Sequence, residues 1–180
     1  PLSGSYSSIK FVGEGENAEI YLDVQGYSEA AGKKVAFENL KLSKVAGGYI
    51  TNAGFMNLAF GIYGATEVTY TNCTFLNGAY ASSGKNTFTG CTFYRSHDRY
   101  GLWAYGATEI VVDGCTFADI RGIKMYDEGN QGLAVVTVKN NLSDDFFYKR
   151  TGAKMALSIV NGKTDISSKF VEIVPQDASG

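Results

Sequence analysis

One group of residues in this 180-residue chain that could do chemistry lies between positions 94 and 128. The segment YRSHDRYG at 94–101 carries Arg95, His97, Asp98 and Arg99, and the following stretch adds Asp119, Arg121, Lys124, Asp127 and Glu128. Acting on an anionic substrate needs positive charge to hold it and an acid or base at the bond that breaks. Arg99, Arg121, Lys124, Asp127 and Asp98 are the residues that would fill those roles. His97, the only histidine, reads more readily as a surface residue than as a catalyst.

A second group is aromatic. Four short segments open with glycine: GIYG at 61–64, GAYA at 78–81, GLWAY at 101–105 and GIKMY at 122–126. Strand alternation sends Ile62, Ala79, Leu102, Ala104, Ile123 and Met125 to one side. Tyr63, Tyr80, Trp103, Tyr105, Lys124 and Tyr126 then share the other. Tyr80 depends most on register, because its repeat is the shortest and a one-residue slip would flip it. Exposed, these side chains form an apolar strip with one positive charge, suited to the flat faces and hydroxyl edges of sugars. The rival reading is that a loop or neighbouring domain covers the rings.

Other chemically suggestive residues have plainer explanations. Glu67 and Glu109 invite a paired-carboxylate reading, since glycosidases hold two acids roughly 5–10 Å apart. The GATE strings that carry them lie 42 residues apart, and Lys85 occupies the matching position between them. An alternating charge ladder on neighbouring strands accounts for all three. Cys73, Cys91 and Cys115 have no CxxC pairing and one histidine for company, so no metal site is expected; they read as free, inward-facing thiols.

The elements that position these residues follow from a repeat. NCTF at 72–75 and GCTF at 90–93 and 114–117 place cysteines 18 and 24 residues apart, which together equal the spacing of the GATE strings. Each marker sits in a short alternating strand, so Val68, Tyr70, Cys73 and Phe75 face one side, as do Ile110, Val112, Cys115 and Phe117. KVAFENLKL is an earlier copy with Val35, Phe37, Leu40 and Leu42 inward, and VVTVKNNL a later one with Asn140 at the bend and one extra residue before Leu142. Asn39 and Asn72 occupy the bend in their copies; Gly90 and Gly114 replace it, as a left-handed backbone position requires. Phe75, Phe93 and Phe117 should stack beside the cysteines, with Thr74, Thr92 and Thr116 as a solvent-facing ladder.

The bend asparagine and the inward Cys-x-Phe after it resemble the right-handed parallel β-helix repeats of the pectate-lyase-like superfamily. The resemblance implies an all-β, single-stranded solenoid with three short strands per coil and about seven or eight coils. It also implies that the outer face of the glycine-led strands lines the substrate cleft where a member is active. RGIKM is similar to an Arg-Ile-Lys element of galacturonan hydrolases, but Gly122 interrupts it and the accompanying acidic and histidine motifs are absent. The lyase pattern of a Ca²⁺-binding aspartate cluster with a catalytic arginine is absent too, and the short coils leave little room for cleft-building insertions.

The chain therefore reads as one domain over 1–180, with regular coils about 9–142 and irregular coils or a cap about 143–180. A formal net charge of −2 and 19% charged residues give no footprint for nucleic acid, and no apolar run is long enough to enter a membrane. Beginning at Pro1 without a leader, it reads as a mature or trimmed piece of a larger surface protein. The leading expectation is a non-catalytic extracellular or cell-surface module that binds a polysaccharide or other glycan on the aromatic strip, without cofactors. The first alternative is a polysaccharide lyase or glycoside hydrolase acting on an acidic polysaccharide, and only the lyase could call on Ca²⁺. The second is a structural stalk or spacer.

Overall fold

A computed structural model describes residues 4–22, 30–44, 59–94, 100–104, 106–118, 121–127, 135–139, 142–143, 149–150, 156–159 and 171–175. Its strands are short because each coil must turn three times, and every pairing between them is parallel. The first sheet runs β1 (Ser8–Val12), β3 (Lys34–Glu38), β5 (Glu67–Thr71), β8 (Lys85–Thr89), β11 (Glu109–Asp113), β14 (Val135–Lys139) and β17 (Ala156–Ile159). The second runs β2 (Glu19–Leu22), β4 (Lys41–Lys44), β6 (Thr74–Phe75), β9 (Thr92–Phe93), β12 (Thr116–Phe117) and β15 (Leu142–Ser143). In the third, β7 (Ala79–Ala81), β10 (Tyr100–Ala104) and β13 (Arg121–Asp127) are followed by β18 (Val171–Pro175) and then β16 (Lys149–Arg150). Three parallel sheets wound in this order make a β-helix. Its regular order fails only near the carboxyl end, where β18 lies between β13 and β16.

The bends between the first and second sheets obey the expected chemistry. Asn39 and Asn72 hold φ of 55° and 51°, and Gly90 and Gly114 take their places at 62° and 64°. Each bend is also fixed from the next coil, as Asn72 N–H donates to the Thr89 carbonyl at 2.9 Å and Gly90 N–H to that of Asp113 at 2.9 Å. A repeated left-handed residue thus keeps the strands on either side in step.

Stacking follows from that register. Phe11, Phe37, Tyr70 and Phe88 form one aromatic column with centroids 5.2, 5.4 and 4.8 Å apart. Phe75, Phe93 and Phe117 form a second, at 4.9 and 4.5 Å. Cys73, Cys91 and Cys115 are buried and free, and Thr74, Thr92 and Thr116 stand in register, half-buried on the opposite side of their strands. The inward columns also admit a polar residue: Asn86 lies between Val68 and Ile110 in register, wholly buried, and donates through Nδ2 to the Ser83 carbonyl at 2.8 Å.

One expectation about register fails. Leu142 stands opposite Thr116 and Ser143 opposite Phe117, while Lys139 stands opposite Asp113. The interval from Lys139 to Leu142 therefore equals that from Asp113 to Thr116, with no extra residue. The extra residue is required only if Leu142 must share the inward column of Cys115 or Phe117, and the hydrogen-bond register sets it elsewhere. Asn140 lies outside the described residues.

Candidate functional site

The third sheet brings the glycine-led segments together. Trp103 pairs in register with Tyr80 on one side and Lys124 on the other, and Phe60 bridges to Ala79. Ile62, Ala79, Leu102, Ala104 and Ile123 face the common core. Tyr80 and Trp103 belong to a separate cluster with Ala59 and Tyr100, against which Tyr63 packs. Their outward direction is therefore as the alternation requires, Tyr80 included.

Their exposure is not. Trp103 and Tyr80 retain only 3% and 4% of their accessible surface, so the rings do not form an open strip. All five residues of β10 and all three of β7 are buried, whereas β5, β8 and β11 alternate between buried and partly or fully exposed. A strand buried on both faces lies inside a layer, under cover, rather than on a surface. Part of the cover is visible: the Tyr100 ring meets Trp103 edge-on at 5.8 Å, and Tyr63 leans on Tyr80 at 5.2 Å. Gly61 lies directly beneath, since a Cβ there would come within 2.4 Å of the Tyr80 carbonyl oxygen.

Sequence reasoning missed Tyr100 and Ala59. Tyr100 precedes the inward Leu102 by two residues, so plain alternation assigns it to the core. It joins the outer cluster instead, which means that the parity of β10 breaks at Gly101. The tyrosine-glycine pair at the start of YGLWAY was the available signal, because glycine inside a strand often marks such an irregularity.

The charged candidates are only partly gathered. The backbones of Arg121, Lys124, Tyr126 and Asp127 all lie in β13, with Lys124 opposite Trp103. Asp98, Arg99 and Tyr105 lie outside the described residues, as do Arg95, His97, Asp119 and Glu128. Glu67, Lys85 and Glu109 lie on the first sheet, in one register column that begins a rung earlier with Lys34. Lys34 pairs with Glu67 and Lys85 with Glu109, each at 3.1 Å.

Cys73 and Cys91 sit where deprotonation is costly. Cys73 Sγ donates to the Thr71 carbonyl at 3.4 Å, and burial pushes its thiol up to about 11. Cys91 is raised too, by its hydrogen bond with the Cys115 side chain and then by burial, while its Sγ reaches the Tyr70 carbonyl at 3.5 Å. Protonated and enclosed, the Cys73 and Cys91 thiols are poor nucleophiles and poor ligands. Their chemistry is that of small core residues.

A family model described as the right-handed beta helix region matches residues 20–169. The chain belongs to the right-handed β-helix family. The match takes in the strands from β3 to β17, which agrees with the three parallel sheets and with the handedness expected from the repeat. No curated protein and no solved structure matches the chain.

Proposed function

We propose that this right-handed β-helix is a non-catalytic structural module, a stiff segment of an extracellular or cell-surface protein. The observation that carries the reading is the burial of β7 and β10 on both faces. The outer face of that sheet is where the resemblance would set a substrate cleft, and there Trp103 and Tyr80 are packed under Tyr100 and Tyr63. Such a face stiffens the sheet by adding a second small core. The first sheet and its stacked columns then supply a rod that resists bending, because each coil is held by its neighbours on both sides.

The test combines binding and turnover on the intact chain. A glycan array and a galacturonan depolymerisation assay, run with and without Ca²⁺, should both be negative. The fluorescence of the sole tryptophan should be blue-shifted and shielded from acrylamide. Saturable glycan binding that quenches Trp103, or chain cleavage abolished by Arg121→Ala in a folded variant, would overturn the proposal.

A further inference from the structure

The outer side of the first sheet is open to solvent, and its charges have a symmetry of their own. Along the solenoid axis Lys34, Glu67, Lys85 and Glu109 occupy one register column, reading plus, minus, plus, minus. Their side chains keep 65, 36, 43 and 41% of their accessible surface, so the column faces solvent. Beside it runs a column of short side chains, Ala36, Thr69, Thr87 and Val111, in the same register. A column of even length and alternating sign becomes its own complement when its order is reversed.

We propose that this face is a homodimer interface, in which two copies pack sheet to sheet about a two-fold axis parallel to the strands. That operation reverses the order of the rungs and keeps each column opposite itself. Lys34 then meets Glu109 of the second copy and Glu67 meets Lys85 of the second copy, twice over. Ala36 meets Val111 and Thr69 meets Thr87, all short enough for two sheets to approach to about 10 Å. A two-fold along the solenoid axis matches charge at one rung alone, Lys34 on Glu38, because Glu67 and Lys85 would face Thr71 and Thr89 while Glu109 would face Asp113. The chosen axis sets Glu38 against Asp113, a like-charge contact. Glu38 is already ion-paired with Lys10, and Asp113 lies in register with Lys139.

The four five-residue rungs β3, β5, β8 and β11 cover only a few hundred Å² per copy, against roughly 800 Å² per partner in a standard stable complex. The dimer is therefore weak, dissociates on dilution and is sensitive to salt.

The test exploits the symmetry. The variant K34E/E67K/K85E/E109K inverts every charge yet keeps the alternation within one chain, so its fold and its own dimer are preserved. Mixed with the natural chain, it would set like charges opposite one another at every rung. Sedimentation at low salt should show each chain dimerising alone and falling apart at high salt. Energy transfer between donor- and acceptor-labelled chains should appear in like mixtures and vanish in unlike ones. A monomer at millimolar concentration in low salt, or equal transfer in both mixtures, overturns the proposal. If the inverted chain does not fold, Thr87→Arg serves instead. It leaves the ladder intact, and a dimer that survives it overturns the proposal equally.

Discussion

A buried thiol that cannot easily lose its proton ties stability to pH in a definite direction. In the unfolded chain Cys73 titrates near its ordinary value of 9, and in the folded chain only near 11. Below 9 both states hold the proton and the thiol has no effect on the pH dependence. Between 9 and 11 only the unfolded chain releases it, so stability falls as pH rises. Denaturant unfolding should therefore weaken across that window, less steeply in Cys73→Ala, and Ellman's reagent at pH 8 should find no reactive thiol until the chain is unfolded. Stability that rises between 9 and 11, or rapid labelling of the native chain, would contradict the burial described. Individual residues were legible in the sequence wherever a column repeated them, as with these cysteines. Tyr100 was not, since one glycine reverses the parity on which alternation rests. Asn86 was not either: the Ser83 carbonyl that its amide meets belongs to the turn entering β8, and no repeat advertises it.

Strands of two residues, such as β6, β9 and β12, are held less by their own hydrogen bonds than by the columns they carry. Phe93 shows this most directly. It lies between Phe75 and Phe117 in one column and leans on Phe88 of the other at 5.6 Å, with no exposed surface. Phe93→Ala should cost about 3–5 kcal/mol in denaturant unfolding, as aromatic truncations in close-packed cores do. A loss below about 1 kcal/mol would mean that the rings do not bear on one another. At this scale the sequence was most readable. The GATE strings lead into strands of the first sheet and the CTF strings form those of the second, so their coincident spacing announced both strands and the bend between them. The third sheet was half legible: alternation sorted its inward from its outward side chains, but burial of the outer side depends on packing between segments distant in the chain. That cannot be read from a period of two.

The whole molecule is a stack in which each coil contacts mainly the next, so it can be lengthened or shortened by whole turns. Glu67–Thr71 and Lys85–Thr89 pair residue for residue, and the 18 residues from Asn72 to Thr89 make one complete circuit. Excising them joins Thr71 to Gly90 and brings β5 against β11, leaving a rod shorter by one rung, about 4.8 Å. The one new conflict is Glu67 beside Glu109, and Glu109→Lys restores the alternation from Lys34 onward. The excised chain with that repair should unfold cooperatively, as judged by circular dichroism, while a chain lacking only the nine residues 72–80 should not fold. Failure of the whole-turn deletion alongside survival of the half-turn would refute the circuit. The protein is in this sense a ruler, graduated in coils and divisible only at its marks.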